Sequence, residues 1–303
     1  MKAPEGGVAA RIAGAPISWG VCEVPGWGVM LPRDRVLSEM RELGIKATEL
    51  GAIGYLGEGP EEIRALLAQY SLGTVGGFVP LTLHEPDRRR RAEQDAEKAA
   101  SLLSGSGGTY FVTAVVVDET WSTPFELEPS QWDELVGELE LVDKICAEHG
   151  LQQVVHPHVG TLIETGAQIE ALAARSGASF CLDTGHFSIG GADPVSFAGK
   201  HADRVGLVHL KDVKMSQAPA ARAHEISLLE ATKAGLFQPL GRGDVNVVGA
   251  VRALEENGYG GWYVLEQDTT IEPSLVASVD PRSDVRASID YLLAALGRGT
   301  PVK

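Results

Sequence analysis

Leu207-Val208-His209-Leu210-Lys211-Asp212 begins as an apolar β-type run and ends on ionisable side chains. Three other segments share this build: Val154-Val155-His156-Pro157-His158, Phe180-Cys181-Leu182-Asp183-Thr184-Gly185-His186 and Tyr263-Val264-Leu265-Glu266-Gln267-Asp268. Parallel β/α barrels carry their chemistry at the C-terminal ends of the strands. Four such segments in order, separated by helix-like stretches, point to one inward-facing site built from His, Asp, His and Glu.

Working outward, the chain alternates short apolar runs with longer amphipathic ones. Strands are expected at 12–18, 47–50, 74–83, 110–117, 152–156, 179–183, 205–211 and 262–266, with helices between them. In the stretch 33–43, Val36, Leu37, Met40 and Leu43 recur at helical spacing, and Gly44 ends the run. Eight strands alternating with helices predict an α/β fold, a single (β/α)8 TIM barrel over 1–303. The stretch around 213–240 is too long for an ordinary βα loop and is expected to form a helical excursion near the mouth. No GxGxxG follows the first strand and no GxxxxGK[ST] occurs, so the nucleotide-binding open sheets lose their best support.

The 303 residues suffice for one such barrel, and 44% hydrophobic with 22% charged residues is the balance of a globular chain. A formal charge of −15 speaks against a nucleic-acid partner, which needs clustered Lys and Arg. The basic run 88–91 sits among acids and reads as a solvated helix face. Cys22, Cys146 and Cys181 have no close pairing, which argues against a disulfide framework or a CxxC-type zinc site and suits a reducing, cytoplasmic setting. No stretch approaches the roughly 18 apolar residues of a membrane span, so no membrane partner is expected.

Alternate residues of a strand share a face. Cys181 and Asp183, His209 and Lys211, and Glu266 and Asp268 therefore point the same way if each strand runs on. Two imidazoles with two carboxylates suit one divalent metal, with Mn2+, Co2+ or Zn2+ favoured over Ca2+ and Mg2+ also admissible. His156, Asp183, His209 and Glu266 are the candidate metal ligands, although His156 and His158 share parity and spacing alone does not choose between them. His158 can equally meet substrate. His186 and Lys211, beside ligands at the strand ends, are the candidate acid/base pair. A lysine crowded by a cation gives up its charge more readily. Glu49 and His84, ending the second and third strands, and Trp19, ending the first, are candidate substrate contacts. Trp19 is placed to stack on a sugar face. Gly241-Arg242-Gly243-Asp244 reads as a turn rather than a phosphate loop.

Taken together, Ala15-Pro16-Ile17-Ser18-Trp19-Gly20, His156-Pro157-His158-Val159-Gly160-Thr161, the DTGH and HLKD steps, Pro239-Leu240-Gly241-Arg242-Gly243-Asp244 and Gly258-Tyr259-Gly260-Gly261-Trp262 resemble the inosose dehydratases of the xylose-isomerase-like barrel superfamily. The resemblance covers nearly the whole chain. It implies one divalent metal and loss of water from a keto-cyclitol such as 2-keto-myo-inositol, or a related keto-sugar, through a metal-stabilised enolate. Of the superfamily's Glu, Asp, His and Glu ligands, the last three match Asp183, His209 and Glu266. The first is replaced by His156, which speaks against ordinary epimerase chemistry. Asn246 also stands where the pattern has an acidic residue. The alternatives are a metal-dependent keto-sugar or inosose epimerase or isomerase and, more distantly, a non-catalytic sugar-binding barrel. The expected partner is a small molecule, and barrels of this kind often pair into homo-oligomers through their helices.

Overall fold

The apolar β-type runs form strands, and the amphipathic stretches between them fold back to cover them. In the computed structural model, which describes residues 2–297, β1 (Ile12–Gly14) leads to α1 (Arg33–Glu42) and β2 (Ala47–Thr48) to α2 (Pro60–Gln69). β3 (Gly73–Thr74) and β4 (Gly76–Leu81) precede α3 (Arg89–Gly105), β5 (Tyr110–Val115) precedes α4 (Pro129–Glu148), and β6 (Gln152–Val155) precedes α5 (Gly166–Arg175). β7 (Phe180–Asp183) passes straight into α6 (Thr184–Ile189), followed by α7 (Pro194–Lys200). After β8 (Val205–Leu210) comes a segment with β9 (Asp212–Val213), α8 (Ala218–Arg222), α9 (Leu228–Lys233) and β10 (Phe237–Gln238). The last elements are α10 (Val247–Glu256), β11 (Tyr263–Leu265) and α11 (Pro281–Gly297).

Nine of these strands are hydrogen-bonded in the order β3-β2-β1-β11-β8-β7-β6-β5-β4, all parallel. The two ends of that order are halves of one strand. Only Val75 separates β3 from β4. The Val75 N–H donates to the Thr48 carbonyl on one side, and its own carbonyl accepts from Thr109 and Tyr110 on the other. The sheet thus closes on itself as an eight-staved barrel. Gly76 makes the crossing possible, because a Cβ there would collide with the Tyr110 carbonyl. β9 and β10 pair separately as an antiparallel ribbon.

The barrel interior is apolar at its floor. Ala13, Ala47, Val75, Val112, Val154, Cys181, Leu207 and Val264 form one buried cluster inside it. Two residues further along their strands, Val154, Cys181, Leu207 and Val264 are succeeded by His156, Asp183, His209 and Glu266. The alternation of strand faces therefore carries polar side chains to the top of the same plug. A larger cluster, including Leu37, Met40, Leu67, Leu103, Leu139 and Leu254, fills the layer between strands and helices.

Two expectations change. The first strand stops at Gly14 rather than running to residue 18. Pro16, which lacks an N–H, starts a 3-10 turn over Pro16–Trp19 closed by Ser18 N–H to the Ala15 carbonyl and Gly20 N–H to the Ile17 carbonyl. The DTGH step is the start of a helix as well as the end of a strand, because the Asp183 side chain accepts from the backbone N–H groups of Gly185 and His186 and caps α6.

Candidate metal and acid/base site

His156, Asp183, His209 and Glu266 come together at the top of the plug. His156, Asp183 and His209 are buried, and Glu266 is slightly open, with 10% of its side chain exposed. Asp183 and His209 are register partners across β7 and β8. Each of three side chains has one polar atom already committed. Asp183 Oδ1 accepts from Gly185 and His186 N–H, both at 2.8 Å. Glu266 Oε1 accepts from Lys211 Nζ at 2.8 Å. His209 Nε2 lies 3.0 Å from Glu49 Oε1.

The uncommitted atoms face one another. His209 Nδ1 is 2.9 Å from Glu266 Oε2 and 3.8 Å from Asp183 Oδ2, and His156 Nε2 is 3.4 Å from Asp183 Oδ2. Two ligands each about 2.1 Å from one ion lie roughly 3 to 3.5 Å apart at ordinary coordination angles. Despite the short distance, His209 Nδ1 makes no hydrogen bond of acceptable geometry. A buried nitrogen without a hydrogen-bond partner, beside Glu266 Oε2 and an Asp183 Oδ2 shared with His156 and Lys211 at 3.4 Å, is a donor set that suits a divalent cation, so these residues fit a metal.

Two other triads in the same knot have ligand atoms within 4.8 Å of one another: His156, Cys181, His209 and Glu49, His209, Glu266. In the first, Cys181 belongs to the apolar plug beneath the four residues and not to their layer. In the second, the shortest contacts put Glu49 Oε1 on Nε2 at 3.0 Å and Glu266 Oε2 on Nδ1 at 2.9 Å, on opposite edges of the His209 ring.

Lys211 and His186 flank the knot. Lys211 Nζ, fully buried, lies 2.8 Å from Glu266 Oε1, 2.8 Å from Asp268 Oδ1, 3.4 Å from Asp183 Oδ2 and 3.1 Å from His186 Nε2. Burial opposes its charge, but Asp183, Asp268 and Glu266 outweigh that and hold the ammonium well above its ordinary pKa. That is the state without an ion; the expectation that a nearby cation loosens the Lys211 proton concerns the metal-loaded site. The neighbours that surround the lysine are carboxylates. His186 goes the other way: burial first, then His158 and Lys211, push it well below the ordinary imidazole value. Burial pushes His158 down to about 3, aided by His156 and Lys211. Burial opposes the ionised forms of Asp183 and Glu266, yet Lys211 holds Asp183 below its ordinary value, and His209 with Lys211 holds Glu266 well below.

The remaining sequence candidates separate. His158 stacks on His186 with ring centroids 3.8 Å apart, beside the knot. Glu49 is turned onto His209. His84 lies apart from the knot, against Phe125 and Glu85. Trp19 is a correction: it is fully buried and its Nε1 donates to Glu39 of α1 at 2.7 Å, so it packs between barrel and helix and offers substrate no face. The 3-10 turn after Gly14 swings it outward. The aromatics at the site are ones the sequence did not single out. Phe78 meets the edge of His156 at 5.8 Å, Trp121 stacks on Phe78 at 6.2 Å, and Phe237 lies under Lys211 at 5.1 Å. Asp268, also unassigned from sequence, was legible only as the residue two beyond Glu266. Burial pushes its carboxyl up to about 6 against the pull of Lys211.

An eight-stranded parallel barrel with imidazoles and carboxylates converging at its C-terminal strand ends places the chain among the β/α barrels that carry their chemistry at that face. The chain belongs to the xylose isomerase-like TIM barrel family, whose model matches residues 37–295. It is 31% identical over 302 residues to an inosose dehydratase of Geobacillus kaustophilus (strain HTA426), covering 95% of this chain and 97% of that one. It is also 31% identical over 275 residues to the rhizopine catabolism protein MocC of Rhizobium meliloti, covering 85% and 81%. Among solved structures, the IOLI protein with a bound zinc atom superposes with a TM-score of 0.69 at 12% identity, over 96% of this chain and 100% of that one, which is a likeness of fold.

Proposed function

We propose that this chain is a hydro-lyase that removes water from 2-keto-myo-inositol or a closely related keto-cyclitol or keto-sugar. The observation that carries the reading is the 3.1 Å contact between His186 Nε2 and Lys211 Nζ beside the four converging donor atoms. Dehydration next to a ketone needs one group to take the C–H proton and one to protonate the departing hydroxyl. A neutral His186 suits the first and a charged Lys211 the second. The C–H electrons become the new C=C bond, and the C–O electrons leave with the hydroxyl, which Lys211 completes to water. That leaves His186 protonated and Lys211 neutral, and a proton passed across their contact restores both. Identity of about 31% to an inosose dehydratase over nearly the full chain supports the substrate class.

His156 Nε2, Asp183 Oδ2, His209 Nδ1 and Glu266 Oε2 would hold the metal. Mixed nitrogen and oxygen donors suit Mn2+ or Co2+ best, with Zn2+ and Mg2+ as alternatives. A divalent ion bound there supplies polarisation of the ketone, which acidifies the neighbouring C–H. His158 and the Phe78–Trp121 pair border the same space and are assigned to substrate.

The test is a mass-resolved assay of metal-stripped chain with 2-keto-myo-inositol, with and without Mn2+ or Co2+. A metal-dependent product lighter by one water is expected, and His186→Ala should remove it. A product of unchanged mass would replace this reading with the isomerase one. Turnover within a few-fold of wild type in His186→Ala would end the assigned base role.

A further inference from the structure

We propose that Glu49 is a positioning residue: it fixes the His209 ring with its proton on Nε2 and its bare Nδ1 toward Asp183 and Glu266. The inference rests on the reading of the knot as a metal centre and deepens it. Glu49 follows β2, across the barrel from β8, and its backbone N–H is pinned to the Gly14 carbonyl of β1. Its side chain is 7% exposed, and the one basic group it meets among the described residues is His209, at 3.0 Å. A buried carboxylate needs such a partner, since an isolated buried charge is costly. The Nε2 contact with Glu49 has hydrogen-bond geometry and the Nδ1 contacts do not, so the geometry places the hydrogen on His209 Nε2.

The consequence falls on the opposite edge of the ring. A metal displaces any second proton from the ring, and a hydrogen held on Nε2 then leaves the lone pair on Nδ1. That lone pair faces Glu266 Oε2 at 2.9 Å and Asp183 Oδ2 at 3.8 Å. Three acceptors turned on one point are compatible with a cation there. A carboxylate behind a histidine ligand fixes the ring's tautomer and orientation and raises its basicity. Glu49 can be read instead as a direct ligand with His209 and Glu266. The shortest contacts favour support over ligation, because Glu49 sits on the Nε2 edge at 3.0 Å while Glu266 sits on the Nδ1 edge at 2.9 Å. They also move Glu49 from substrate contact to support.

Co2+ affinity of the metal-stripped full chain, measured by calorimetry, tests this without recourse to turnover. Glu49→Ala is expected to weaken Co2+ binding by about 10- to 100-fold, the usual effect of losing such a partner. Glu49→Gln keeps an oxygen that accepts from Nε2–H and should fall between Glu49→Ala and wild type. Nitrogen-15 NMR of the metal-stripped chain, at a pH where the ring is neutral, should show His209 as one tautomer in wild type and Glu49→Gln, and as a mixture in Glu49→Ala. Unchanged affinity and tautomer in Glu49→Ala would overturn the inference. So would a loss as complete as that of His209→Ala, which would make Glu49 a ligand. Failure of the wild-type chain to bind Co2+ would remove the metal reading itself, and the inference with it.

Discussion

The aspartate that ends the HLKD step holds a turn 30 residues away, and that contact can be broken in two independent ways. Asp212 is buried and accepts four backbone N–H groups. Val213 and Val245 bond Oδ1 at 2.9 and 3.0 Å, and Gly241 and Gly243 bond Oδ2 at 2.8 and 3.0 Å. Asp212→Asn keeps the shape but turns an NH2 group toward two of those donors. A buried donor left unpaired costs about 1–3 kcal/mol, so two cost about 2–6 kcal/mol. Gly241 and Arg242 are exposed, which lets water reach part of the turn. The lower half of that range, about 3 kcal/mol, is therefore expected, against a usual total stability of about 5–15 kcal/mol. Gly243→Ala attacks the same contact from the other side, since its Cβ would collide with Asp212 Oδ1. Urea denaturation of both variants and of the double variant measures this. The double variant should lose at least about 1 kcal/mol less than the sum, because both changes spend one contact. An Asp212→Asn variant within about 0.5 kcal/mol of wild type, or strict additivity, would refute the argument.

Three further outcomes follow from the same coordinates. In Gly185→Ala the new methyl would lie 2.7 Å from Lys211 Cγ and 3.0 Å from its Cβ and Cδ. The lysine stem must then shift, at a cost of about 1–3 kcal/mol, with turnover falling about 100-fold. A wild-type melting curve with wild-type kcat would contradict this. Burial pushes the thiols of Cys22 and Cys146 up to about 12 and that of Cys181 up to about 11. At pH 8 a disulfide reagent should label none of them quickly in the native chain, and all three after unfolding. Because the folded thiols hold protons more tightly than free ones, unfolding releases protons above about pH 8.5, and their contribution to stability declines as pH rises from there. Finally, Arg11 donates to the Tyr259 carbonyl at 2.8 Å and to both oxygens of Glu255. Glu255 is 31% exposed, so Arg11→Ala should cost about 2 kcal/mol in urea rather than the full value of a buried pair.

The parts of this fold legible in sequence are those that depend on periodicity. Alternation along Val264-Leu265-Glu266 or Leu207-Val208-His209 reveals both the strand and the face it turns inward, so the four converging residues could be named together. What was not legible depends on contacts between distant segments. Nothing in the run Ala15-Pro16-Ile17-Ser18-Trp19 states that the turn sends Trp19 to Glu39 rather than to the mouth. Glu49 looked like a substrate contact because its partner lies 160 positions along the chain. Phe78 and Trp121 sit on a strand and a loop without any local sign of chemistry. Asp183 was read as a strand end, and its second role as the cap of α6 was hidden because one residue serves two elements.

The charge balance of the knot decides which of its groups can be the base. Glu49, Asp183, Glu266 and Asp268 bring four buried or nearly buried carboxylates together, and Lys211 is the one lysine or arginine among them in the described residues. Clustering so many anions away from water is unfavourable without compensating cations. Without an ion, that shortage of positive charge holds the Lys211 ammonium well above its ordinary pKa, and under the proposed function a protonated lysine gives a proton rather than takes one. That leaves His186. Lys211→Met removes the charge and keeps most of the stem, so it should cost about 3–5 kcal/mol as a buried ion pair broken on one side, and abolish turnover. Lys211→Arg keeps the charge and should recover most of that stability. It should not recover turnover, because a guanidinium does not give up its proton. A stable Lys211→Met chain would show that the carboxylates need no fixed cation. Normal turnover in Lys211→Arg would show that Lys211 acts by charge alone and that another group protonates the leaving hydroxyl.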